Sequence, residues 1–281
     1  MSPVHDQSYR RYGGTRRGPG RAWSVIAKTG IRAMLSRKVF IGLLALSWLP
    51  FLVRTVQIYA VTTYPQARQV LPVDLRLFER FVEGQGLFAF FITVYVGAGL
   101  IANDRRANAL QVYLSKPIAR LEYIGGKLAI LMTYLAFATL VPSLLLIVMQ
   151  VVFSGSLDFV RENPSLVPAV AMASLLRIIV GSITMLALSS VSRSTRFVAV
   201  LYTGMIFFAE AMYAVLLVAM GSSRVAWISL SRNFAVVNDL LFDQTPRYDA
   251  PVIVCAIVLA GLVAVSVSVL ERTIRGMEIV K

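Results

Sequence analysis

Few side chains in this 281-residue chain could carry covalent or metal chemistry. There is one histidine, His5, in a polar N-terminal stretch, and one cysteine, Cys255, inside an apolar run. An intrachain disulfide is therefore impossible, and a zinc-type metal centre would lack its nitrogen and sulfur ligands. No apolar run carries two acids, a Ser/His pair or a His/Glu cluster at workable spacing, so no catalytic set emerges. What remains is charge in unusual places. Arg177 and Glu210 each sit near the middle of an apolar run, where an ionisable group is costly and marks either pairing or a pathway contact. Residues 103–120 form a short basic amphipathic segment held between two apolar runs. Ala107, Leu110 and Leu114 share one helical face, Arg105, Asn108, Val112 and Ser115 lie roughly opposite, and Pro117 ends the helix because it lacks an N–H and restricts its predecessor. Asp104 near the start suits the helix dipole. A loop pinned in this way suits a partner that pushes on it; spacing alone also allows an ordinary inside loop.

The elements that hold these residues follow from composition. The chain is 57% hydrophobic and only 15% charged, with a mean hydropathy of +0.72. Several runs reach the roughly 20 apolar residues that cross a bilayer. The expected fold is all-α: a polytopic membrane protein with spans near 39–60, 86–102, 124–153, 166–191, 197–220 and 250–270. Residues 1–21, rich in Gly and Arg, read as a disordered basic tail. Residues 22–38 read as an amphipathic helix, with Trp23, Ile26, Ala27, Gly30 and Met34 on one face, suited to the headgroup region. The six-span body then occupies 39–271, followed by a short tail, 272–281. Two outer segments carry helical patterns of their own. Leu71, Leu75, Phe78, Phe81 and Val82 oppose Arg76, Glu79, Arg80 and Glu83, which predicts a short interfacial helix over 71–83. Phe234, Val237 and Leu241 predict another within 221–249.

The net charge of +14 would suggest nucleic acid in a soluble protein. Here the cations lie in loops and tails, so nucleic acid is not an expected partner and the lipid bilayer is. With both termini cytoplasmic, the inner segments hold 19 Lys and Arg and the outer segments 7, which supports that orientation. Gly125-Gly126-Lys127 is the nearest approach to a phosphate loop. However, Leu121 stands where the first Gly is needed and Leu128 where a hydroxyl is needed, so the chain has no nucleotide site of its own.

One stretch resembles a known family. Gly99-Leu100-Ile101-Ala102-Asn103-Asp104, then Leu114-Ser115-Lys116-Pro117-Ile118-Ala119-Arg120-Leu121-Glu122-Tyr123 and Gly126-Lys127, is similar to the corresponding region of type-2 ABC exporter permeases. Within them it is most similar to the branch associated with multicopper-enzyme maturation and nitrous-oxide-reductase assembly. The six-span layout, the elbow helix before the first span and Ser192-Arg193-Ser194 agree with that pattern. The likeness covers about the whole layout but only about 30 residues in motif. It implies a permease that is not itself an enzyme and binds no cofactor, with ATP and Mg on a separate cytoplasmic ATP-binding subunit. It also implies a second permease copy, identical or related, and a place in the bacterial inner membrane with both termini cytoplasmic. Carried over, Asp104, Arg105, Arg106, Leu110, Leu114, Lys116, Pro117 and Arg120 become the ATPase-coupling region, with Ser192, Arg193 and Arg196 as a smaller second contact. A gradient-driven transporter or channel, and a non-transporting assembly scaffold, remain as alternatives.

Overall fold

The computed structural model describes residues 22–64, 66, 70–109 and 119–278, with side chains through 275. The basic tail 1–21 and the loop residues Leu110, Leu114, Lys116 and Pro117 lie outside the described residues. Every regular element among the described residues is helical, and six helices are long and apolar enough to cross a membrane. The chain is an all-α polytopic membrane protein.

The elements run as follows. Helix α1 (Ala22–Leu35) precedes the first span, which is broken into α2 (Lys38–Leu46) and α3 (Leu49–Thr63). The second span joins α4 (Leu75–Ile92), a π-helical turn (Thr93–Gly97) and α5 (Ala102–Arg106). The third joins α6 (Arg120–Leu135), a second π turn (Ala136–Leu140) and α7 (Val141–Ser154). After the short α8 (Asp158–Glu162) come α9 (Leu166–Val191) and α10 (Thr195–Met220). A 3-10 turn (Ser223–Ile228) and α11 (Leu230–Leu241) lead to the last span, α12 (Val252–Glu278).

The interruptions have local causes. Pro50 sits in the first turn of α3, where a missing N–H costs nothing, and the chain breaks just before it. Pro142 occupies the same place in α7, directly after its π turn. Gly155 and Gly221 end α7 and α10 with φ of +68° and +61°, the left-handed conformation that spares glycine a Cβ clash.

Helix α9 is the centre of the bundle. It packs against α12, α4, α6 and α11, and small polar residues along it, among them Ser174, Ser182, Thr184, Ser189 and Ser190, are buried. Small side chains let helix axes approach closely, which is how spans associate where apolar burial gives no driving force. Helix α10 is the opposite case: only Val198, Tyr202 and Tyr213 are buried along it.

Spans of alternating direction place the described residues 35–38, 106–109, 119–120 and 191–195 at one end, here termed the basic end, and 63–64, 70–75, 154–166 and 220–252 at the distal end. At the basic end α1 packs along α6 rather than standing alone. A Cβ on Gly126 would lie 2.8 Å from Ile26 Cβ and 2.9 Å from the Trp23 carbonyl oxygen, and one on Gly30 would lie 2.1 Å from Ile130. These two glycines set the close approach, and the Tyr134 hydroxyl, which donates to the Ile31 carbonyl at 2.5 Å, fixes it.

One expected element differs. The amphipathic stretch 71–83 is not a separate surface helix: α4 starts at Leu75 and continues into the second span. Its apolar face, Leu77, Phe78, Phe81 and Val82, is buried in a cluster with Phe51, Leu146, Ile147 and Phe242. That face found protein rather than an interface, so the second span is longer than its apolar run. The segment near 234–241 is a helix, as expected, but Asn233, Phe234, Val236, Asn238 and Asp239 are buried in the bundle.

Candidate functional site

The basic end brings the two candidate coupling segments together. The second span breaks at residues 98–101, and the break is held by one side chain of α9. Ser189 Oγ accepts from the N–H groups of Ile101 and Ala102 at 3.0 and 3.1 Å and donates to the Ala98 carbonyl at 2.9 Å. Three backbone groups freed by the break are thus satisfied by one fully buried hydroxyl. The turn Ala102–Arg106 then emerges with its side chains fixed from two directions.

Asp104 faces α6. Its carboxylate pairs with Lys127 Nζ at 2.7 Å and accepts from the Tyr123 hydroxyl at 2.8 Å, and Lys127 also lies over the Tyr123 ring, 5.5 Å from its centroid. The acidic residue after the second span, the Glu-Tyr pair and the Gly-Lys opening the third span are therefore one structural unit. Glu122 completes it by accepting from the Ala119 N–H at 3.3 Å at the start of α6.

Asn103 and Arg105 face the 191–195 connection. Thr195 Oγ1 donates to Asn103 Oδ1 at 2.9 Å, Arg106 reaches the same oxygen at 3.3 Å, and Arg105 donates to the Ser190 carbonyl. Arg106, Arg193 and Arg196 stay exposed, and Ser192 and Arg120 are half-buried. The arrangement is a rigid platform of anchored polar residues from which arginines point outward. Helix α5, the described start of the segment expected to be helical from 103 to Pro117, ends at Arg106; Ala109 is helical again, and the rest of the segment to 118 lies outside the described residues. Asn108 takes φ +51°, a left-handed conformation Asn tolerates and a continuing helix does not.

Arg177 and Glu210 do not meet. Arg177 crosses to α4, donating to the carbonyls of Val82 and Glu83 at 2.7 and 3.1 Å with its guanidinium over the Phe234 ring at 5.3 Å. Gly86 makes room for it, since a Cβ there would lie 2.8 Å from Arg177 Nη1. Glu210 instead binds the start of α11: Ser229, Ser231 and Arg232 all donate to its carboxylate. Arg232 is also stacked on Tyr213, 3.8 Å from the ring centroid. A carboxylate at a helix N-terminus is a favourable placement, and Arg232, not Arg177, supplies the countercharge. The expected choice between pairing and pathway had left out α11 as the source of partners.

A second cluster at the distal end was not expected. Arg247 pairs with Glu79, Glu83 and Asp239 at 2.6–2.7 Å, and Arg76 donates to Gln244 Oε1 at 2.8 Å. Its sequence signal was only the charged face of residues 76–83, Arg76, Glu79, Arg80 and Glu83. These bonds, led by that to Glu83, hold the Arg247 guanidinium above its ordinary value. A raised value means the folded state keeps the proton more tightly, so while the three carboxylates are ionised this contribution is present below the unfolded value and is lost as alkali titrates the folded guanidinium. The cluster ties α4 to α11 and to the strand of chain leading into α12.

Among the described residues no group of three or more His, Cys, Asp or Glu is arranged to hold a metal ion. No protein-family model matches the chain. A search of curated proteins gives no match either.

Proposed function

We propose that this protein is the membrane subunit of an ATP-driven exporter of the type-2 ABC class, working as a pair of permease copies. Its basic end would receive a separate cytoplasmic ATP-binding subunit that carries the nucleotide and Mg. The reading places the chain in a bacterial inner membrane with both termini cytoplasmic. The observation that supports it most is the joint anchoring of residues 102–106 and 190–195. A push on a loose loop dissipates in the loop. A push on this platform reaches the second, third and fourth spans at once, through Asp104 with Lys127, through Arg105 with the Ser190 carbonyl and through Ser189 at the helix break. Rigid short elements that shift packed helices are a known route from a partner's closure to a conformational change. The little-buried α10 offers the face on which a second copy would pack.

The residues Leu110, Leu114, Lys116 and Pro117 belong to the same proposed contact, with Asp104, Lys127 and Tyr123 as its support. Arg177 and Glu210 find partners within the chain and need no substrate to be satisfied, which weighs against a gradient-driven mechanism built on them. Affinity purification in mild detergent, with mass spectrometry of what co-purifies, tests the proposal. A stoichiometric protein bearing Gly-x4-Gly-Lys-Ser/Thr is expected with the native chain. It is expected to be lost when Arg106, Arg193 and Arg196, all exposed, are changed together to Glu. A folded chain that brings no ATP-binding protein, under conditions that preserve such complexes, would sink it.

A further inference from the structure

We propose that the distal halves of the first and third spans, α3 and α7, form a two-helix flap. The flap swings about an intramembrane hinge and admits water between itself and the wall made by α4 and α9. The inference does not depend on the exporter reading. Both helices start at an interruption of their span. Helix α3 follows the break at Ser47–Trp48 and has Pro50 in its first turn. Helix α7 follows the second π turn and has Pro142 in its first turn. Sharp helix bends occur at prolines and π turns. Ser47 Oγ donates to the Leu44 carbonyl at 2.7 Å and Ser143 Oγ to the Thr139 carbonyl at 2.6 Å, local bonds of the kind that bend helices. Trp48 packs on Phe137 with ring centroids 5.0 Å apart, so the two joints lie side by side.

The flap holds to itself more extensively than to the wall. Helices α3 and α7 pack along each other, and Tyr59 meets Phe153 edge-on at 5.5 Å near their far ends. Their outer faces, with Leu52, Val53, Val56, Val148 and Val152, are exposed. Toward the wall the contact is apolar: Phe51, Ile58, Leu146 and Ile147 share a buried cluster with residues of α4 and α9. Apolar burial gives little driving force where the alternative is lipid. Thr62 Oγ1 donates within the flap, to the Ile58 carbonyl at 2.8 Å. The wall, in contrast, is pinned by polar bonds. Arg177 joins α9 to α4 through the Val82 and Glu83 carbonyls, and Arg247 joins α4 to α11.

Polar groups without partners lie on both sides of this seam. On the flap these are Thr55 Oγ1 and Gln150 Oε1; on the wall they are both amide atoms of Gln85 and Ser174 Oγ. All are buried with no hydrogen-bond partner among the described residues. Gln85 is fully buried and Ser174 is 1% exposed. Helical spacing puts them on the closing faces. Thr55 follows Phe51 by four residues and precedes Ile58 by three, and Gln150 follows Ile147 by three. Gln85 follows Val82 by three, and Ser174 follows Val170 by four. Inside a membrane each unpaired group is costly. Their concentration along one seam points to a second arrangement in which they are met, and water satisfies amides and hydroxyls on both faces at once. A mouth for it is present at the distal end: a cavity of about 390 Å³ lined by Thr62, Gln150 and Ser154 of the flap and by Pro72 and Val73.

The test uses the full chain in lipid nanodiscs and a positively charged, water-soluble methanethiosulfonate, with modified sites identified by peptide mass spectrometry. Ser174→Cys is nearly isosteric and places a thiol behind the flap. The native Cys255, fully buried near the distal end of α12, is the internal control for general unfolding. Ser174→Cys is expected to be modified faster than Cys255. Gln85→Met removes the unpaired amide that favours the open arrangement, and is expected to slow that modification about three- to tenfold, the worth of one neutral hydrogen bond. If Ser174→Cys does not fold, spin labels at Val56 on the flap and Met172 on α9, both exposed, give a second readout in a Cys255→Ala chain. Double electron–electron resonance is then expected to show a second, longer distance that Gln85→Met depletes. Modification of Ser174→Cys no faster than that of Cys255, a rate unchanged in a folded Gln85→Met chain, or a single distance between the two labels overturns the proposal.

Discussion

Ser189 shows how much one residue carries here. A helix that breaks within a membrane exposes backbone groups that no water meets, and each must find a partner inside the protein. The break at 98–101 is repaired by a single hydroxyl that accepts twice and donates once. Ser189→Ala leaves two buried N–H groups unsatisfied, and at about 1–3 kcal/mol each the expected loss is about 2–4 kcal/mol. Thermal unfolding in detergent checks it, and a transition that does not move would show that the break is repaired some other way. No sequence pattern singles this serine out from Ser182 or Ser190 on the same helix, because its role depends on a carbonyl and two amides of another span. Asp104 was easier to find from its position after an apolar run. Its actual partners, Lys127 and Tyr123, were present in the sequence as parts of a motif but not as a contact.

At the scale of elements, the apolar runs announced all six spans, and their boundaries failed where tertiary contact overrode local pattern. The second span is the clearest case. Residues 75–83 are amphipathic enough to read as a surface helix, yet Leu77, Phe78, Phe81 and Val82 pack against the first, third and fourth spans, so the helix runs on. Helix α11 was legible as a helix from Phe234, Val237 and Leu241. That it inserts far enough to bring Arg232 to Glu210 could not be read, since nothing local encodes depth. This contact yields a prediction for a double-mutant cycle on Glu210→Gln and Arg232→Met. The pair is partly exposed, at 30% and 26% of their side chains, so its coupling is expected to be about 1–3 kcal/mol, below that of a fully buried pair. The same cycle on Arg177 and Glu210, which share no bond, is expected to give coupling within about 0.5 kcal/mol. The reverse order of magnitudes would mean that α11 does not hold Glu210.

For the whole molecule, the two ends have opposite characters. The basic end is anchored and bears outward arginines; the distal end is closed by the Arg247 cluster and by α11. The interior between them is packed by α9, while along α10 only Val198, Tyr202 and Tyr213 are buried, with Met205 and Ile206 partly buried against the core. Force applied at the basic end would therefore travel through α9 and the second span. The central claim is that an ATP-binding protein sits on the basic end. The most direct measurement is site-specific photo-crosslinking in the native membrane from position 193, with position 161 at the distal end as the control, and identification of the crosslinked product. The account predicts a crosslink from 193, and none from 161, to a soluble protein carrying a phosphate-binding Gly-x4-Gly-Lys-Ser/Thr loop. Crosslinks from 193 only to lipid or to copies of this chain, or equal crosslinks from both ends, would contradict it.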